Sequence, residues 1–363
     1  MLKADRCFRV ILLALASLMS ASGADYLVYA GTYTRGASRG IYAYRLQSAA
    51  GKLKPLGVAV EMSSPSFLAL DPSRRFLYAV GEEANVADAF SIDPATGRLA
   101  FLNQVSSQGE GPCHLAVDAT GRWLAVANYG SGSMALFPIQ SSGRLGDAAV
   151  VERHGPSHAH QVLFSPDNRF LLLADLGLDR IFVYRFDAAL GSLAPNDPPF
   201  AAVPPRSGVR HLAFHPNGKV LYAINETAST VTAFRYDAVK GALESLQNVS
   251  TLPPSYKGAS AAAEIAVNAA GTVLYASNRG HDSLALFSID PARFTLTPME
   301  YIPTLGRTPR HFALDPSGRY LLVANQDSGE IAVFRVHPKT GQLTPVGRPA
   351  TGAPLPACLL FVP

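Results

Sequence analysis

The stretch PRSGVRHLAFHPNGKVLYAINETASTVTA, from Pro205 to Ala233, decides how the rest of the chain is to be read. An apolar run, His211-Leu212-Ala213-Phe214, stops at His215-Pro216-Asn217-Gly218; a second, Val220 to Ile224, ends at Asn225-Glu226; a third begins near Thr230. Proline presets φ for the first turn position and glycine accepts positive φ, so Pro-Asn-Gly between two apolar runs is a turn. The unit is a hairpin followed by a third strand. It returns at Phe67 to Gly81, His114 to Asn128, His160 to Asp175, Glu264 to Asn278 and His311 to Asn325. Aligning Phe67, His114, His160, His211, Glu264, His311 and Cys358 gives spacings of 47, 46, 51, 53, 47 and 47 residues. Several short strands per repeat at this period are the signature of a β-propeller. Seven units predict an all-β, seven-bladed one.

The seventh unit is split. The chain ends in Cys358-Leu359-Leu360-Phe361, a first strand with no hairpin partner, while Tyr26 to Ala30 and Ile41 to Arg45 are later strands with no first strand. The two termini are therefore expected to build one composite closing blade. Ahead of it, Lys3, Arg6 and Arg9 precede an apolar run from Val10 to Met19 and the small residues Ala21, Ser22, Gly23 and Ala24. A basic start, a short apolar core and a small-residue exit predict a signal peptide over 1–24, leaving 25–363 as one propeller domain. The apolar run is shorter than the ~20 residues of a comfortable membrane span. The expected product is exported, periplasmic or secreted, without stable membrane association.

The leader holds three basic residues and Asp5, a charge of +2, so the mature chain keeps +2 of the formal +4. No block of like charge occurs, which excludes the electrostatic footprint of a nucleic-acid binder. Only Cys113 and Cys358 follow the leader. They lie in repeats two and seven, which are not neighbours in a ring, and are expected to be buried free thiols. A propeller of about 340 residues escapes the usual limit on a single core because each blade packs only on its neighbours. A monomer is expected.

Strands one to four of a propeller blade run down, up, down, up. The turns between strands one and two, such as Asp118-Ala119-Thr120-Gly121 and Asp315-Pro316-Ser317-Gly318, therefore lie on one rim. The start of each first strand and the end of each second strand face the opposite mouth together. First-strand starts carry His114, His158, His160, Arg210, His211, Glu264, Arg310 and His311; second-strand ends carry Glu82, Asn128, Asp175, Asn225, Glu226, Asn278, Arg279 and Asn325. Five of the chain's nine histidines fall at this edge. The asparagines can cap their own turns, and the histidines can bond a neighbouring blade. Arg210, Arg279 and Glu226 are different, because matching slots in other repeats are mostly small or uncharged and charged residues are rarely buried unpaired. Together with His160 on the adjacent repeat they are the candidate site, with structural ion pairing as the alternative.

Four stretches carry a resemblance. YLVYAGTYTRGASRGIYAYRL (26–46), GPCHLAVDATGRWLAVANYGSGSMALF (111–137), SHAHQVLFSPDNRFLLLADLGLDRIFVYRF (157–186) and GVRHLAFHPNGKVLYAINE (208–226) resemble the seven-bladed propeller lactonases. That family is typified by the propeller type of 6-phosphogluconolactonase and includes the fungal carboxy-muconate lactonizing enzymes. The resemblance implies an active-site group of one histidine, two arginines and one glutamate. These fall on His160 in S-H-A-H, Arg210 in G-V-R-H, Glu226 in I-N-E and Arg279 in S-N-R-G. It implies a lactone hydrolase that opens a sugar-acid or related lactone by base-assisted attack of water, without a cofactor; His158, His211, Asn278, Arg310 and His311, at the same mouth, are the expected substrate-binding neighbours. His160 or Glu226 can serve as the base; Glu226 is favoured on condition that the channel wall raises its pKa, with His160 as proton donor to the leaving alkoxide and Arg279 or Arg210 on the oxyanion. Three other readings stand beside it. One is a lactonizing enzyme or cyclase acting on a carboxylate, and one is a non-catalytic exported binding module. The last is a calcium-dependent lactonase using Glu82, Asp175, Asn225, Glu226 and Asn278, which Arg210 and Arg279 would oppose by charge. No nucleotide-binding glycine loop, zinc-spaced Cys/His set or Gly-x-Ser-x-Gly motif is present.

Overall fold

The second strand of each repeat is apolar at nearly every position, a pattern that suits a strand covered on both faces. The computed structural model, which describes residues 25–363, has that arrangement. The signal peptide expected over 1–24 lies outside the described residues. Seven four-stranded antiparallel sheets form the blades, with no α-helix among the described residues. Blades 1 to 6 cover residues 68–106, 112–153, 159–202, 209–250, 261–303 and 309–345. In blade 4, Val220–Asn225 is buried along its whole length, whereas the outermost strand Ala242–Ser250 has no buried position.

There is no central core. Apolar clusters fill the seven interfaces between neighbouring blades, so each sheet is sandwiched by the next. Between blades 3 and 4, Leu172, Ile181 and Val183 meet Leu212, Leu221 and Phe234. Phe234 is 1% exposed there, and truncating such a side chain to alanine costs about 3–5 kcal/mol.

Blade 7 closes the ring from both ends of the chain. Pro356–Val362 is its inner strand and pairs antiparallel with Tyr26–Thr32, with Val28 opposite Phe361 and Ala30 opposite Leu359. Gly40–Gln47 and Lys52–Glu61 complete the sheet. Cys113 and Cys358 are buried free thiols.

The turn rim is built the same way in most blades. Asp118 accepts hydrogen bonds from the backbone N–H of Thr120 (3.0 Å), Arg122 (2.8 Å) and Trp123 (2.9 Å), locking its own hairpin. Asp71, Asp315 and Asn268 do the same.

At the opposite mouth the first strands of blades 2, 3, 4 and 6 begin with a bulge, one residue that has no partner on the second strand. It is Cys113 in blade 2, His160 in blade 3, Arg210 in blade 4 and Arg310 in blade 6. This corrects the register read from the sequence. His160 is equivalent to Arg210, not to His211, and Gln161 takes the slot of His211. The spacings from His114 through Gln161 to His211 are 47 and 50 residues, counted from the numbering.

Candidate active site

Two successive layers of side chains result from the bulges. The inner layer closes the channel. Phe67 lies against His114 with ring centroids 3.9 Å apart and stands edge-on to His211 (5.9 Å) and His311 (5.6 Å). His211 Nδ1 is 3.0 Å and His311 Nε2 3.3 Å from Oε2 of Glu264. The Leu359 N–H donates to His311 Nδ1, which puts that ring's proton on Nε2, toward Glu264. Side chains from several blades thus touch across the axis, and the mouth is a blind cup. His211 and His311, expected to bind substrate, belong to this plug and are 2% and 9% exposed.

The outer layer faces the cup. Arg210 is 3% exposed; its Nε is 3.0 Å from Glu226 Oε2 and its Nη1 donates to the Ala263 carbonyl. Arg279 reaches the same oxygen with Nη2 at 2.8 Å while bonding the carbonyls of Ala261 and Ala262. One carboxylate oxygen therefore holds two guanidinium groups from adjacent blades. Glu226 keeps 26% of its side chain exposed. Burial alone would push its carboxyl up, but Arg210, Arg279 and Arg310 outweigh it and hold the group below the usual carboxylate range. The condition set for Glu226 as base is thus not met. Burial, with the Glu226 charge only partly offsetting it, draws Arg210 down to about 10, still cationic at neutral pH.

His160, the bulge residue of blade 3, stands edge-on to His211 with ring centroids 5.1 Å apart; it is 4% exposed, with no hydrogen-bond partner at Nδ1. Burial first, then the charges of Arg210 and Arg310 and the neighbouring His211 and His114, keep its pKa well below the ordinary histidine value. It is a neutral imidazole. His158 lies at the exposed rim, its ring stacked on Tyr129 at 4.3 Å and its Nδ1 donating to the Tyr129 carbonyl. Arg310 occupies the bulge position of blade 6, and its Nη2 donates to the Tyr33 hydroxyl at 2.7 Å.

Asn278 does not reach the cup. It is fully buried, donating to the Thr251 carbonyl (2.7 Å) and accepting from the Thr251 hydroxyl (2.6 Å). Asn128, Asn325 and Asp175 are spent likewise on backbone and hydroxyl groups of their own or adjoining segments. These side chains do not converge with Glu226 on an oxygen cage. Among the described residues no group of three or more His, Cys, Asp or Glu is placed to hold a metal ion.

Sequence reasoning missed Tyr33 and Tyr129; it placed Glu82 at the mouth but gave it no role other than metal ligand. All three directly follow a second strand, the position that Glu226 holds in blade 4. Position in the repeat was the signal that could have found them.

The model of the family described as "Lactonase, 7-bladed beta-propeller" matches residues 27–361. The chain belongs to that lactonase family. Among its relatives, the 6-phosphogluconolactonase of Bacillus subtilis is 33% identical over 351 residues, covering 93% of this chain and 98% of the relative. The 6-phosphogluconolactonase of Klebsiella pneumoniae is 32% identical, covering 87% and 93%. A periplasmic gluconolactonase of Pseudomonas aeruginosa superposes with a TM-score of 0.87 at 36% identity, covering 94% of this chain and 99% of that one. In this lactonase propeller the cup offers a neutral imidazole and two arginines fixed on one carboxylate. Such a set can take a proton and stabilise an oxyanion without a covalent intermediate.

Proposed function

We propose that this chain is an exported lactone hydrolase, complete as a monomer, that opens a sugar-acid lactone with His160 as the base. The observation that carries the role assignment is that His160 and Arg210 hold equivalent bulge positions on adjacent blades, with Arg210 and Arg279 both fixed on Glu226. His160 takes a proton from water as the oxygen attacks the lactone carbonyl, and Arg210 and Arg279 receive the developing oxyanion. The imidazolium and the oxyanion form together, so each offsets the charge of the other in a site where either alone is costly. Collapse breaks the bond from the carbonyl carbon to the ring oxygen, and the imidazolium returns its proton to the leaving alkoxide. Lactone plus water gives the hydroxy acid, and the imidazole is neutral again.

Glu226 has a different task. It holds the two guanidinium groups in place and leaves their remaining donors toward the substrate. General-base assistance contributes about 10²–10⁴-fold and one oxyanion donor roughly 3 kcal/mol in such sites. Export rests on the basic, apolar and small-residue pattern of 1–24 and on the likeness to a periplasmic relative.

The test is hydrolysis of a panel of sugar and simple lactones by the purified protein and two variants. His160→Ala is expected to lose turnover by about 10²-fold or more. Glu226→Gln is expected to lose less, with most of the change in KM. Full activity in both folded variants places the chemistry elsewhere, and no turnover of any lactone by the wild type favours a binding module.

A further inference from the structure

Across the cup from Glu226 lies a second polar group that the reaction does not use. Tyr33, Glu82 and Arg310 form a chain. Arg310 donates to the Tyr33 hydroxyl at 2.7 Å, and Tyr33 donates onward to Glu82 Oε2 at 3.1 Å. Burial pushes the Tyr33 phenol up to about 12, so it keeps its proton and the direction of the chain is set. Ser66 also donates to Glu82 Oε2. Tyr33, Glu82 and Arg310, with Arg35, Gln326, Asp327 and Leu355, line a cavity of about 350 Å³. Arg310 is the bulge residue of blade 6, and Tyr33 and Glu82 directly follow second strands as Glu226 does, which places this cavity on the same mouth.

Its chemistry differs from that of the arginine pair. Among the described residues Arg310 uses one N–H in a hydrogen bond, and Glu82 Oε1 accepts none. A spare donor group and a spare acceptor therefore stand on either side of a fixed hydroxyl. Sugar hydroxyls both donate and accept, and match such an alternation; a phosphate dianion only accepts, and finds a carboxylate where it needs a cation. Charge points the same way. Arg310 and Arg35 face Glu82 and Asp327, a formal sum of zero, and Arg35 is already paired with Glu83 at 3.5 Å.

We infer that this cavity is the polyol subsite of the enzyme, that the substrate is an unphosphorylated polyhydroxy lactone, and that Glu82 is the residue that rejects a phosphorylated one. The inference rests on the lactonase reading and adds the substrate class to it. Discrimination by a repelling group needs no loss of affinity for the accepted ligand.

The experiment compares kcat/KM for glucono-δ-lactone and its 6-phosphate in the wild type and in Glu82→Gln. The wild type is expected to favour the unphosphorylated lactone by about tenfold or more, and Glu82→Gln to narrow that ratio by about tenfold. Equal or better use of the phosphorylated lactone by the wild type, or an unchanged ratio in the variant, overturns the inference. If Glu82→Gln does not fold, calorimetry on the wild type decides: gluconate must bind more tightly than 6-phosphogluconate, and the reverse order rejects the subsite. Turnover of neither lactone removes the lactonase reading, and the calorimetric comparison still judges the subsite by itself.

Discussion

The two rims of the propeller are made from the same repeats and obey different rules. On the turn rim, Asp71, Asp118, Asn268 and Asp315 hold equivalent places and make equivalent bonds to the backbone of their own hairpins. On the mouth rim the equivalent bulge residues are Cys113, His160, Arg210 and Arg310, and they meet different groups: the His160 carbonyl, the Tyr129 ring, Glu226 and the Tyr33 hydroxyl in turn. The difference follows from where the partner lies. A side chain that serves its own hairpin must be repeated whenever the hairpin is, whereas one that faces the axis meets other blades and is free to vary. Repetition at a position is thus evidence for a structural task, and departure from it is evidence for chemistry. Asn278 obeys the first half of that rule, since it repeats Asn128 and Asn325 and is spent on hydrogen bonds within the fold.

The hardest challenge to this division is to open the ring, because closure underlies both rims. Removing 356–363 strips the inner strand from blade 7 and bares the interfaces with blades 6 and 1. We expect loss of the cooperative fold rather than fraying of one end, seen as the disappearance of a single thermal transition. A truncated protein that melts like the intact one refutes closure.

Acid comes next, and it acts on the mouth side alone. His114, His160, His211 and His311 are held neutral by burial and by the arginines nearby, His311 down to about 4. Their folded pKa values lie below the unfolded value of about 6.5, so the unfolded chain binds more protons and stability falls as pH falls through that value. Glu264 has the opposite shift, raised by burial, and offsets one of the four. Asp88, raised by burial to about 6, also opposes the histidines, while the lowered His154 adds to them, so the net expectation is a fall in stability as pH drops from 7 to 5. Urea midpoints from pH 7 to 5 measure it. His211→Phe should flatten the slope by about one proton. An unchanged slope means these rings are not held neutral.

Arg210→Lys keeps the charge beside Glu226 and loses the planar fork. We expect kcat/KM to drop by about 10²-fold with a melting temperature within a few degrees of wild type. On the other rim Asp118→Ala should show the converse, a loss of about 2 kcal/mol in stability with kcat/KM unchanged. Parallel kinetics and melting curves on these two variants test the division of labour directly. A turn variant that lost activity while staying folded would blur it.

Much of the fold was legible in the sequence. Turn signals at a period near 47 residues, continuous apolar middle strands and an orphan first strand at the C-terminus required a closed ring of seven sheets. These features act over a few residues, and hydrophobic burial and turn geometry work at that range. Arg210, Glu226 and Arg279 could be singled out as candidates because they break the repeat, and His160 through the adjacent repeat and the family resemblance. The register of His160 was not legible, since a bulged residue has no cross-strand partner and leaves no mark in an alternating pattern. Nor were the roles. Whether Glu226 is raised or lowered depends on Arg279 and Arg310 from two other blades, and whether His211 faces substrate depends on Phe67, His114 and Glu264 meeting it across the axis. Local patterns determine that a strand forms and which way it turns, because the forces involved fall off within a turn or a pleat. Charge and burial at the axis are sums over all the blades, and only the closed ring brings their terms together.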